Sequence, residues 1–135
     1  MQKNISHRIV EHHLDMYFNK YGIRKIKCAG EDNRFPRPDV CYRKPDKNRH
    51  NYGTTILVEI KSDAVYNGEL VKGIGQVVWN LCCKNYAIPV LVIHKKYIEL
   101  IKPIFVCDGN KNIGLMSYND SMEFEPVVNM EWLYE

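Results

Sequence analysis

Thr54-Thr55-Ile56-Leu57-Val58-Glu59-Ile60-Lys61 is the stretch on which the fold turns. It is β-branched and mostly apolar, the composition of a strand buried in the middle of a sheet. Its end breaks the pattern. Glu59 and Lys61 stand two residues apart, so both side chains leave one face, while Ile60 points the other way and can anchor the strand in the core. An apolar strand has no packing reason to set a carboxylate and an ammonium side by side, because two desolvated charges are costly unless paired or bound to a metal. A plain Glu59–Lys61 ion pair at a strand end is the rival explanation on the dipeptide alone.

Working outward, residues 6–21 form the first strongly periodic segment. Val10, Leu14, Tyr17, Phe18 and Tyr21 recur at the spacing of one helix face, with Ser6 as N-cap and Gly22 as the stop. Residues 23–29 read as a strand ended by Gly30. The polar run 30–37 ends in Phe35-Pro36-Arg37-Pro38, which cannot be helical. Residues 39–43 form a second short strand and residues 44–52 a basic loop. Beyond the central strand, residues 69–86 read as a helix with Leu70, Ile74, Val77, Val78 and Leu81 on one face. Residues 87–93 form a further buried strand. A short helix over 95–102 follows. Residues 104–107 and 113–118 are then expected to pair as a hairpin across Asp108-Gly109-Asn110. This order predicts an α/β fold, a central mixed β-sheet flanked by helices.

The chain has 135 residues, 45 % of them apolar and 26 % charged, which is enough for one domain with a real core. There is no internal repeat or linker. No apolar run reaches the length of a membrane span, and Met1-Gln2-Lys3-Asn4 does not open a signal core, so a soluble intracellular, cytoplasmic protein is expected. The five cysteines are odd in number and no CxxC spacing links two of them, which suggests a reducing compartment. Vicinal Cys82-Cys83 suit a helix as small hydrophobes. A net charge of +3 permits nucleic-acid binding without demonstrating it.

Pro38-Asp39, followed twenty positions later by Glu59-Ile60-Lys61, resembles the strand-borne signature of the PD-(D/E)xK nuclease superfamily. Glu11 in the leading helix and Gln76 in the helix after the motif strand match features of its branches. Glu11, Tyr21-Gly22-Ile23, Cys28-Ala29-Gly30 and the two acidic motifs look like archaeal Holliday-junction resolvases, whereas the Gln76 helix looks more like RecB-type nucleases. The resemblance covers about residues 5–94 and leaves 95–135 as an extension. It departs from the RecB pattern at Asn80, where a tyrosine is expected. The cysteines also lack the grouping of an iron–sulfur cluster, so no such cluster is expected.

The resemblance implies a restriction-endonuclease-like core and a Mg²⁺-dependent DNA endonuclease, with Mn²⁺ able to substitute, acting in recombination or repair. Asp39, Glu59 and the Ile60 carbonyl would hold the metal, which suits hard oxygen donors. Lys61 would orient the attacking water or stabilise the transition state. Glu11 would complete the metal shell, and Gln76 would bond the water or a phosphate. Arg34, Arg37, Arg43, Lys44, Lys47 and Arg49 flank Asp39 and would contact the DNA backbone without reading sequence. A chain this short has no room for a recognition domain, which favours structure-selective cleavage. RecB-type exonuclease or end-processing activity is the alternative, and a non-cleaving nucleic-acid-binding module the alternative of another class. A homodimer would suit a junction resolvase, by analogy alone.

Several of these residues also have bland explanations. Glu11 could simply pair with Arg8 on a solvated helix face. Gly73 and Gly75 each cost a helix about 1 kcal/mol against alanine, which asks either for a packing reason or for a close approach by DNA. His7 joins His12-His13 in inviting a metal reading, but adjacent helical side chains point about 100° apart, so none is expected there. His94, at a strand end, is expected to be a satisfied histidine. The apolar residues Val127, Val128, Met130, Trp132, Leu133 and Tyr134 either dock on the sheet or form a subunit interface.

Overall fold

The computed structural model describes residues 5–28, 38–45, 53–62, 67–83, 87–107 and 112–135. Helix α1 (Ile5–Asn19) leads into strands β1 (Arg24–Ile26), β2 (Val40–Lys44) and β3 (Thr54–Lys61). Helix α2 (Asn67–Cys83), strand β4 (Ala87–His94) and, after a 3₁₀ turn, helix α3 (Ile98–Phe105) come next. Strands β5 (Gly114–Tyr118) and β6 (Phe124–Val128) and a 3₁₀ turn at Glu131–Tyr134 complete the described chain. The six strands lie side by side in chain order. β3 pairs in parallel with β4, and β4 with β5, while the three outer pairings are antiparallel. This is the expected α/β architecture, a mixed sheet flanked by helices.

The alternation of β3 divides two cores. Ile56, Val58 and Ile60 pack with Val10, Leu14 and Phe18 of α1, whereas Leu91 and Ile93 of β4 pack with Leu70 and Val77 of α2 and with α3. α1 ends where its sequence says it should. Gly22 takes φ +73, a conformation that costs glycine nothing, and the N–H of Ile23 returns to the Phe18 carbonyl at 3.1 Å.

The expected hairpin between 104–107 and 113–118 does not form. Ile98, Ile101 and Phe105 lie on one buried helix face, so α3 continues through Pro103, which is exposed, and takes Ile104 with it. β5 pairs instead with β4 and with β6. The true hairpin turn is built on Asn119, whose Oδ1 accepts the N–H groups of Ser121 and Glu123 at 2.9 Å each. Asp108, Gly109 and Asn110 lie outside the described residues, as do the side chains of Leu81, Cys82 and Cys83.

The apolar tail docks on its own sheet. Met130 and Leu133 are buried in the α1-side core, with Trp132 packed against it. Lys44 Nζ donates to the Trp132 carbonyl, tying the tail to the end of β2. The cysteines also correct the sequence reading. Cys28 and Cys41 form a disulfide, with Cα atoms 5.3 Å apart. Ile26 is the register partner of Cys41, and Cys28, two residues beyond Ile26, lies within disulfide reach of it, a pairing that the sequence spacing does not announce. No helix among the described residues is long and apolar enough to cross a membrane.

Candidate functional site

Asp39 and Glu59 meet where β2 and β3 begin to pair. The antiparallel register sets Val40 opposite Val58, so the preceding residue of one strand faces the following residue of the other. The Asp39 N–H donates to the Val58 carbonyl at 2.9 Å, and its Oδ2 accepts the main-chain N–H of Ile60 at 2.8 Å. Glu59 is only 1 % exposed and its carboxyl is hydrogen-bonded to Asp39. His7, buried near the start of α1, places Nε2 3.4 Å from Asp39 Oδ2. Burial alone would raise the Asp39 carboxyl. The hydrogen bonds from His7, from the Ile60 N–H and from Glu59, together with the His7 charge, outweigh it and hold the group below its ordinary value.

Two carboxyl groups in hydrogen-bond contact and largely out of water need a proton or a cation between them. These oxygen donors fit a hard divalent cation. Since the described acidic donors are two, Mg²⁺ held there would complete its shell from the Ile60 carbonyl, water and phosphate oxygens, as Mg²⁺ commonly does.

Lys61, on the same face of β3 as Glu59, turns toward α2. Its aliphatic stem lies against Gly73, where even a methyl group would stand 3.0 Å from Lys61 Cγ. One turn further along α2, Gln76 carries a buried amide oxygen with no hydrogen-bond partner among the described residues. The helix that follows the motif strand therefore does pack against the motif lysine. Gly75, by contrast, is exposed and a methyl there would meet nothing within 4 Å.

Glu11 is placed elsewhere. Its Oε2 accepts Lys25 Nζ of β1 at 2.8 Å, and the same ammonium reaches Asp15 at 2.8 Å. Asp15 in turn accepts the hydroxyl of buried Tyr42. The α1 residue that touches Asp39 is His7, one helical turn before Glu11. Sequence reasoning set His7 aside with His12 and His13. The signal lay elsewhere: His7 precedes Val10, Leu14 and Phe18 by three, seven and eleven positions, so it continues the buried stripe of α1 toward the sheet.

Of the six basic residues beside Asp39, Arg43 is exposed and near Thr55 Oγ1 at 3.5 Å, while Lys44 is committed to Trp132. Arg34, Arg37, Lys47 and Arg49 lie outside the described residues. His94 is satisfied as expected: Nε2 pairs with Asp120 Oδ1 at 2.8 Å and Nδ1 accepts the Lys96 N–H at 3.1 Å.

No family model matches the chain, and no curated protein sequence matches it. Solved structures do. An XisH family protein from Nostoc punctiforme shares 14 % identity at a TM-score of 0.54, covering 93 % of this chain and 100 % of that one. An fdxN element excision controlling factor protein from Anabaena variabilis shares 14 % identity at a TM-score of 0.52, covering 91 % and 97 %. Identity this low is a likeness of fold.

Proposed function

We propose that this protein is a metal-dependent DNA endonuclease, structure-selective in the manner of junction resolvases and acting in DNA recombination. The observation that carries the reading is the contact of Asp39 with Glu59 and the Ile60 N–H, with Lys61 next on the same strand face. The description of one fold neighbour as a factor controlling excision of a DNA element supports a setting in recombination.

Asp39 and Glu59 would hold Mg²⁺ with the Ile60 carbonyl. When bound, the ion supplies a Lewis acid that polarises a phosphate oxygen and eases deprotonation of a water. Lys61 orients the attacking water and offsets charge on the phosphate in the transition state. His7, not Glu11, is the α1 side chain beside Asp39, and it fixes the carboxylate in its orientation. Gln76 offers its amide to the water or to a phosphate oxygen. Exposed Arg43, with Arg34, Arg37, Lys47 and Arg49, would bind the DNA backbone, and Mn²⁺ would replace Mg²⁺.

A RecB-type end-processing activity is the second reading, favoured by Gln76 on the helix behind the motif strand. One experiment separates the readings. Purified protein is incubated with supercoiled, linear, single-stranded and four-way-junction DNA in Mg²⁺, Mn²⁺ or EDTA, beside Asp39→Asn and Lys61→Ala. Metal-dependent cutting of junctions, lost in both variants, supports the resolvase. Degradation from ends alone supports the second reading. Binding without cutting by every form overturns both and leaves a nucleic-acid-binding module.

A further inference from the structure

We infer that Gly73 of α2 is a positioning residue for Lys61: the missing side chain opens a slot through which the lysine stem passes, and so sets the placement of its ammonium. The inference rests on the nuclease reading above for its functional meaning but on packing for its geometry.

A Cβ built at Gly73 would stand 3.0 Å from Lys61 Cγ, 3.3 Å from Lys61 Cε and 3.1 Å from Leu91 Cδ1. Contacts that tight force the neighbours to move by a few tenths of an ångström, and two of the three atoms belong to Lys61. The lysine's own backbone has little room to follow. Lys61 is paired in register with Ile93 of β4, and the Ser62 carbonyl next to it accepts the Tyr118 hydroxyl of β5 at 3.2 Å. Backbone and stem are thus both held, which removes rotamer freedom that a lysine at a strand end otherwise keeps. The helix turn that supplies the slot also carries Gln76, so the same packing sets both residues relative to each other.

Gly75 provides the control within the same helix. Each glycine weakens a helix relative to alanine. Yet a methyl group at Gly75 would meet nothing within 4 Å, so packing accounts for Gly73 alone.

Wild type, Gly73→Ala, Gly75→Ala and Lys61→Ala are compared in two assays. In the first, metal-free protein is acetylated briefly and the rate at Lys61 is read by peptide mass spectrometry against Lys25 and Lys96. Gly73→Ala is expected to change the Lys61 rate by about threefold, as a side chain displaced from its rotamer should, with the reference lysines unchanged. In the second, Mg²⁺-dependent cleavage gives kcat and KM. Gly73→Ala should lower kcat on the order of tenfold with KM within about twofold, because misplacement of a catalytic group acts on the chemical step. Gly75→Ala should change neither.

An unchanged Lys61 rate in Gly73→Ala, or equal losses in both alanine variants, overturns the inference. If wild type cuts no DNA while the Lys61 rate still shifts, the nuclease reading fails and the slot stands as a packing device. Should Gly73→Ala not melt cooperatively, Leu91→Val takes its place. Trimming the atom on the other side of the slot should free Lys61 and speed its acetylation, and an unchanged rate again overturns the inference.

Discussion

Asp39 Oδ2 accepts the main-chain N–H of Ile60 at 2.8 Å, across 21 positions of sequence. The hydrogen bond joins the two halves of the acidic motif and turns a carboxylate at the start of one strand toward the end of another. A side chain held by its partner strand's backbone loses little further freedom on taking a ligand, which is the preorganisation a metal or phosphate site needs.

Replacing Asp39 by Asn should keep the acceptor for the Ile60 N–H while removing the charge. Mg²⁺-dependent cleavage should fall by about a hundredfold or more, the scale of losing a group that stabilises the transition state. DNA binding in EDTA should change little. Retained cleavage in Asp39→Asn would remove the carboxylate from the mechanism.

The same residue predicts an acid limb of stability. His7, the Ile60 N–H and Glu59 hold Asp39 below its ordinary value of 3.8 despite burial, so the folded state binds fewer protons at this group than the unfolded chain. The stabilisation is fully present above 3.8 and is lost as pH falls through the lowered native value. Urea unfolding in EDTA from neutral to acid pH should show wild type losing more stability than Asp39→Asn in that window. Parallel acid limbs would refute the assignment.

Glu11 is held by Lys25, and the two side chains are 20 % and 41 % exposed. Glu11→Gln should therefore cost at most about 1 kcal/mol in stability, as exposed pairs do. It should also leave kcat within about twofold, whereas His7→Ala should lower it on the order of tenfold by releasing Asp39. The reverse order of the two variants would return the α1 role to Glu11.

Leu133 is 2 % exposed in the α1-side core. Leu133→Ala should cost about 2–5 kcal/mol by the cavity it leaves, and Lys44→Ala about 1 kcal/mol for its hydrogen bond to Trp132. Chemical denaturation measures both. A Leu133→Ala variant as stable as wild type would mean that the tail does not contribute to the core in solution.

The disulfide between Cys28 and Cys41 closes a segment of 13 positions that ends two residues past Asp39. Reduction by a dithiol should lower stability by about 3 kcal/mol on the chain-entropy account, and Cys28→Ser should remove the difference between oxidised and reduced samples. Equal melting of wild type in both states would show that the link is not formed in solution.

Much of the fold was legible because it rests on periodicity. The stripe Val10-Leu14-Phe18 and the run 54–61 each bury a face whatever the rest of the chain does, and Gly22 stops α1 through a conformation other residues resist. Pairing was less legible. The expected hairpin at 104–118 failed because a short apolar run fits either a helix face or a strand, and the burial of Phe105 carries α3 past Pro103.

The sequence by itself determined the two acidic motifs, their placement on strands and the alternation that puts Glu59 and Lys61 on one face, because a strand's period of two is a local property. Tertiary structure alone decided that Asp39 and Glu59 touch, that His7 reaches Asp39 while Glu11 turns to Lys25, that Gly73 receives the Lys61 stem and that Cys28 meets Cys41. Each depends on strand register or on how closely a helix approaches the sheet. Those distances are set by the whole core at once, and no local spacing encodes them.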